Sequence, residues 1–190
     1  VFIMSDQQRR DSLGCYGSDW ARTPNLDALA ASSYVFENAY VTQAVCTPAR
    51  ASIMTGLYPH TAGPIVNAIP LSPELPVLSE MVSEEYFCGY MGKWHLGDDV
   101  IKQHGFDVWT STEDDHREAY TRREHRRVLS DYRHYLVDQG LEPNRERAGD
   151  WIFSPDARAR LGEEFQMGSF LAERAERFID ERKDRPFVLY

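Results

Sequence analysis

Phe87-Cys88-Gly89-Tyr90-Met91-Gly92-Lys93-Trp94-His95-Leu96-Gly97 is the stretch from which the fold can be read. Phe87 to Met91 reads as a short core strand, and it runs directly into a segment bracketed by two glycines. Gly92 and Gly97 permit a sharp turn. Between them Lys93 and His95 stand two apart, so on an extended stretch both side chains point to the same side. A lysine and a histidine aimed together make a two-point clamp for an anion.

Working outward, Pro76 to Tyr86 predicts a helix, with Leu78, Met81 and Val82 on one face and Glu80, Glu84 and Glu85 on the other. Val1-Phe2-Ile3-Met4 predicts a buried strand that ends in Ser5-Asp6-Gln7-Gln8. A carboxylate at the carboxyl end of a central strand is where an open α/β sheet places its ligands. Thr23 to Ala30 predicts a helix with Thr23 as N-cap and Pro24 as first residue, and Val35 to Val41 a short strand or extended segment. Alternating strands and helices argue for an α/β layered fold.

Cys46-Thr47-Pro48-Ala49-Arg50 opens another helix, with Pro48 as the expected first helical residue, Ala49 to Met54 as its body and Gly56 as its end. Cys46 then stands at the helix N-terminus. Unpaired amides and the positive end of the helix dipole favour a sulfate or phosphate there, and Arg50, one turn in, adds a fixed cation. His60, in the loop Leu57-Tyr58-Pro59-His60-Thr61, reads as a local hydrogen-bonding residue rather than a pocket residue.

Three of these segments together, Cys46-Thr47-Pro48-Ala49-Arg50, Gly92 to Gly97, and Thr23-Pro24-Asn25-Leu26-Asp27, resemble segments of the sulfatases. The resemblance implies an alkaline-phosphatase-like layered fold with a largely parallel central sheet flanked by helices. It implies a maturation enzyme that recognises Cys-x-Pro-x-Arg and oxidises Cys46 to formylglycine, an aldehyde that works as its hydrate. Two hydroxyls on one carbon let one attack sulfur while the other collapses to the carbonyl and expels sulfate. A thiolate would have no such internal route.

By the same resemblance Arg50 holds the nucleophile's oxygen, Lys93 contacts the sulfate and His95 contacts the hydrate, where it assists the collapse. Asp6, Gln7 and residue 46 are the implied metal ligands, for calcium or, as alternatives, magnesium or manganese. Gln7 departs from the family's acidic pair. It leaves a neutral oxygen donor and removes one negative charge, which puts affinity and metal preference in doubt.

From about Thr110 to Gly162 the motif match fades, and this stretch reads as a variable insertion that shapes a substrate pocket. His116 to Gly140 predicts one amphipathic helix, keeping Tyr120, Val128, Leu129, Tyr132, Tyr135 and Leu136 at helical spacing, and Leu141 to Ser154 predicts a loop. Trp109, Trp151, Arg122 and Arg123 are candidate substrate contacts, with surface packing the better reading of each. Glu163 to Lys183 predicts a helix with Phe170, Leu171, Ala175, Phe178 and Ile179 as its apolar stripe, and Arg185 to Tyr190 a core strand. On this reading the chain is the N-terminal part of a larger catalytic domain.

A net charge of −9 argues against nucleic acid as a partner, because no basic face is available to neutralise phosphates. No membrane span or repeat is visible. Cys15, Cys46 and Cys88 allow one disulfide at most if Cys46 is the nucleophile, and the compartment stays open between periplasmic or secreted and cytoplasmic. The expectation is therefore a sulfatase acting on a sulfated carbohydrate or small organic molecule. The alternatives are a phosphonate monoester or phosphodiester hydrolase of the same superfamily and a non-catalytic fragment that binds sulfated ligands.

Overall fold

Proline at the start of a helix forfeits an N–H that would have had no partner, and Pro24 opens α1 (Pro24–Ala31) in the computed structural model, which describes residues 1–190 except Asp115, His116 and Ala148. Thr23 occupies the N-cap position, but its hydroxyl does not cap the helix. It accepts from the Gly14 N–H (2.9 Å) and donates to Asp27 Oδ1 (3.1 Å). Ile3–Val41, which contains α1, is one compact unit, and Val1–Phe2 with Thr42–Tyr190 is the other.

Two expected strands do not form. Residues 35–41 have no ladder partner among the described residues, and Phe36 and Tyr40 are exposed; β-propensity without pairing does not make a strand. Val1–Met4 is likewise not a buried strand. The Phe2 N–H donates to Leu189 O (2.7 Å) and its ring stacks on Tyr190 at 5.0 Å, yet Val1, Phe2 and Ile3 are exposed, Ile3 at 89%. Burial needs cover on both faces, and one backbone contact does not supply it.

In the larger unit α2 (Cys46–Thr55) begins at Cys46 itself, which makes Pro48 its third residue rather than its first. The position is tolerated because the first four N–H groups of a helix have no acceptor within it. Gly56 ends the helix in a left-handed conformation (φ 71°), with its N–H on Ser52 O at 2.9 Å. A short α3 (Pro59–Ala62) follows where a loop was expected, and exposed His60 stacks on Tyr58. α4 (Leu78–Met81) is far shorter than the expected 76–86. Val82 is already extended, and Ser83 takes the Glu85 N–H on its hydroxyl (3.4 Å) and the Tyr86 N–H on its carbonyl (2.9 Å), so local serine bonding displaces the helix.

β1 (Phe87–Gly92) is the middle strand of a sheet with β2 (Val108–Ser111), and after α5 (Asp131–Asp138), a hairpin of β3 (Arg145–Arg147) and β4 (Asp150–Ile152), α6 (Pro155–Ala159) and α7 (Met167–Arg182), β5 (Phe187–Leu189) closes its other edge. Both pairings are parallel, with Gly89 opposite Val108 on one side and Leu189 on the other. Parallel neighbours need long crossovers, and the intervening segments supply them. Gly89 is required by packing: a Cβ there would lie 2.6 Å from the Phe178 ring of α7.

Tyr90 is fully buried at the sheet's centre, and the rings of Trp94, Phe106, Trp109 and Tyr190 surround it with centroids 4.4 to 5.4 Å away. Ala51 and Met54 of α2 belong to the same core. A second core joins Tyr132 and Leu136 of α5 to Phe153 and to Phe170 of α7.

The single helix expected over 116–140 is not formed; His116 lies outside the described residues. Single turns at Arg117–Ala119 and His125–Arg127 precede α5. Asp98 captures the Thr121 N–H (3.1 Å) and His125 Nδ1 (2.9 Å), while Ser130 starts a fresh helix by accepting the Arg133 N–H (3.3 Å). The expected 141–154 loop contains the β3–β4 hairpin, its base closed by Asn144 and Ser154 through two bonds of 2.9 and 3.0 Å.

Candidate active site

α2 and the turn after β1 are built as one piece. The Thr47 hydroxyl, next to Cys46, donates to the His95 carbonyl at 3.0 Å. Arg50 Nη1 donates to the Lys93 carbonyl, which also accepts from the Tyr90 hydroxyl. The helix carrying the candidate nucleophile thereby holds the backbone of both clamp residues. Arg50, 6% exposed, is turned toward this backbone, and a guanidinium fork suits the task because it offers several donors in fixed geometry. At the helix start, the Thr47 N–H donates to Asn67 Oδ1 (3.0 Å), and half-buried Cys46 is a free cysteine.

The clamp is not the extended stretch its spacing suggests. Gly92 (φ 126°), His95 (φ 56°), Gly97 (φ 100°) and Asp98 (φ 48°) all take left-handed backbone, so the segment is coiled. Left-handed backbone is costly for a residue with a Cβ unless something holds it. The His95 N–H donates to Asp99 Oδ1 at 2.9 Å. Gln103 Nε2 reaches the Gly97 and Asp98 carbonyls at 3.2 and 3.0 Å, and Trp109 Nε1 the Asp99 carbonyl at 3.0 Å. Every residue from Trp94 to Val100 is buried.

Lys93 Nζ stands 3.7 Å from Glu113 Oε2. Asp99 carries a carboxyl pushed up to about 7, chiefly by burial; the His95 N–H and Lys93 oppose that rise, while Glu113 and Asp98 add to it. The site's electrostatics are therefore mixed: an ammonium and a histidine ring beside the carboxyl groups of Glu113 and Asp99. Trp109 serves the core, as the packing reading has it, and Trp151, Arg122 and Arg123 are exposed.

Asp6 and Gln7 are exposed members of the Ile3–Val41 unit, whereas Cys46, Arg50, Lys93 and His95 belong to the other. Among the described residues no group of three or more His, Cys, Asp or Glu side chains is placed to hold a metal ion. A hard cation takes six to eight oxygen ligands, and Asp6 with Gln7 offers too few. These two side chains would be part of an oxygen-donor set, not the whole of one.

Sequence reasoning missed Thr47, Tyr90, Glu113 and Asp99. A signal for the last was present: an aspartate shortly after a glycine-bracketed turn closes that turn by accepting its backbone N–H groups. Thr47 and Glu113 carried no comparable signal, because their roles depend on contacts far along the chain.

Comparison with known proteins adds four observations. The Sulfatase family profile matches residues 1–190. An ulvan-active sulfatase from Formosa agariphila is 40% identical over 124 residues, which is 61% of this chain and 24% of that protein. The solved structure of BT4656 in complex with D-glucosamine-2-N,6-O-disulfate superimposes with a TM-score of 0.68 at 23% identity, covering 99% of this chain and 32% of that one. A phosphonate monoester hydrolase of Agrobacterium radiobacter superimposes with a TM-score of 0.63 at 22% identity, over 97% of this chain and 38% of that one. The matched region thus spans about a quarter of the curated relative's length and about a third of the two solved chains.

Proposed function

This chain belongs to the sulfatase family, with its alkaline-phosphatase-like α/β layering, and from that premise we propose that it supplies the nucleophile helix and anion clamp of a sulfuric ester hydrolase. The substrate is the sulfate ester of a carbohydrate or small organic molecule. The observation that carries the reading is the joint construction of α2 and the clamp: the residues at 47 and 50 hold the carbonyls of His95 and Lys93. The names of the Formosa relative and of the BT4656 complex, both concerned with sulfated carbohydrate, support the substrate class.

Cys46 is the residue converted to formylglycine by a maturation enzyme that reads Pro48 and Arg50, and the modified side chain supplies a geminal diol as nucleophile. Around it the chain's own residues do the rest. The α2 N-terminus and Lys93 bind and orient the sulfate, whose charge competes with Glu113 for the ammonium. His95 moves a proton at the residue-46 hydroxyl. Trp94 and Tyr90 keep the turn rigid and dry from beneath. A calcium, magnesium or manganese ion held in part by Asp6 and Gln7 belongs to the proposal as an expected component, with further oxygen donors to complete it.

The experiment is mass spectrometry on the full-length protein co-expressed with a formylglycine-generating enzyme, where the Cys46 peptide loses about 18 Da. Unmodified cysteine in all molecules would overturn the reading. Turnover of an aryl sulfate well above that of a phosphonate monoester separates sulfatase from the related hydrolase, and modified protein that binds sulfated sugar without turnover would be the non-catalytic alternative.

A further inference from the structure

The His95 ring can act at residue 46 only if its backbone holds still, and two bonds do the holding. On one side the carbonyl accepts from Thr47 (3.0 Å); on the other the N–H donates to Asp99 (2.9 Å). Thr47 comes from the nucleophile helix, so the first bond fixes position. The second fixes conformation: His95 lies at φ 56°, and a carboxylate four residues on closes the loop that this backbone begins. Asp99 is 3% exposed, and its own carbonyl is tied to Trp109 Nε1 (3.0 Å), which is itself part of the aromatic core. The carboxylate is therefore a rigid post and not a mobile surface group.

Asp98 provides a contrast in the adjacent position. It too is buried and bonded, but its oxygens go to the Thr121 N–H and hydroxyl and to His125 Nδ1, away from His95. Two neighbouring carboxylates thus face two different segments.

We propose that Asp99 is a positioning residue for His95, holding its backbone in the left-handed turn from which the ring reaches residue 46, while Asp98 anchors the arginine-rich 117–127 segment. The inference rests on the role proposed above for His95. It adds that the geometry of the proton-transfer group is set by a carboxylate that touches neither substrate nor nucleophile. Small displacements of such groups cost rate steeply, about a hundredfold for an ångström.

The test compares Asp99→Ala, Asp99→Asn, Asp98→Ala and His95→Ala in the full-length enzyme with an aryl sulfate. Asp99→Ala lowers kcat about ten- to hundredfold with KM falling alongside it, so that kcat/KM changes less than about threefold, and gives the same burst of phenol release before a slow steady state as His95→Ala. Asp99→Asn keeps an acceptor oxygen and recovers kcat to within about threefold of wild type. Asp98→Ala leaves kcat within that range and gives no burst. Hydrogen exchange supplies a readout independent of turnover: the His95 amide loses protection in Asp99→Ala and keeps it in Asp99→Asn and Asp98→Ala. Should Asp99→Ala not fold, Asp99→Ser, whose hydroxyl is too short to reach that amide, is read the same way. Equal kinetic losses in Asp99→Ala and Asp98→Ala, or unchanged His95 exchange in Asp99→Ala, would overturn the inference. If Cys46 is never converted, or His95→Ala keeps wild-type kinetics, it is the underlying functional reading that fails.

Discussion

Two stretches of the same unit, residues 87–99 and 117–162, put their charge to opposite use. In the first, Asp98, Asp99 and His95 are buried and bonded to nearby backbone and side chains, and half-buried Lys93 faces Glu113. In the second, Arg122, Arg123, Arg126 and Arg127 stand exposed. The difference shows that charge density says little about whether a segment holds a site; direction decides. Inward charge is expensive to bury and persists only with its partners in place, whereas outward charge is solvated at little cost.

The sharpest way to break this contrast is to remove its floor. Trp94 is 1% exposed and packs on Tyr90, Phe106 and Trp109, so Trp94→Ala costs about 3 to 5 kcal/mol of stability, read by urea unfolding. A loss under about 1 kcal/mol would mean the turn is not built on that core. Next come the clamp side chains. Lys93→Ala and His95→Ala each lose roughly 2 to 4 kcal/mol of transition-state stabilisation in the full-length enzyme, about thirty- to a thousandfold in rate, with the unfolding midpoint nearly unchanged. Wild-type kinetics in both variants would remove the clamp from the mechanism even if Cys46 is the nucleophile.

Within 117–162 the exception tests the rule. Arg133 is buried, with Nη2 3.1 Å from Asp114 Oδ1, and Arg117 stands 3.7 Å from the same carboxylate. Arg133→Ala costs about 2 to 3 kcal/mol, at or below the usual cost of stranding a buried charge because Arg117 remains. Asp99 gives a pH signature to the first stretch. Its folded-state carboxyl is raised to about 7 from an ordinary 3.8, so the folded protein holds a proton that the unfolded chain releases. Its contribution is fully present below pH 4 and is lost as pH rises to 7. Unfolding free energies measured across that window fall with pH more steeply in wild type than in Asp99→Asn; identical slopes would place the titration elsewhere. The smallest effect belongs to Arg122→Ala and Arg123→Ala, expected to shift stability by less than about 0.5 kcal/mol. Aryl sulfate turnover in both stays close to wild type, and a tenfold or greater loss of kcat/KM confined to a sulfated oligosaccharide would turn the exposed arginines into substrate contacts.

The same contrast governs what could be read from sequence. β1, α2 and the long α7 were legible because their signals are local: an apolar run, a glycine stop, a helical stripe ending in Phe178. The proposed site was legible as motifs, and Cys46, Arg50, Lys93 and His95 do fall in one unit. Its geometry was not, since the left-handed turn at His95 depends on Asp99 and Thr47 accepting and donating at the right places. In 117–140 the helical spacing of Tyr120, Tyr132 and Leu136 did identify buried residues. It misjudged continuity, because Asp98, 23 residues before Thr121 and 27 before His125, breaks the helix by binding both. Tertiary capture of this kind leaves no local trace.

The pairing of Phe87 with Phe187 sets a clock on synthesis. A ribosome working at about 5 to 20 residues per second needs on the order of ten seconds to deliver the hundred or so residues between them, and until β5 emerges β1 has one open edge. Pro48 and Arg50 end buried, the latter against the Lys93 carbonyl just past that strand. An enzyme that reads those two side chains can do so on the nascent chain and not on the finished fold. On the conversion proposed for Cys46, the distance along the sequence between two short parallel strands is thus also a window of time before its motif is buried.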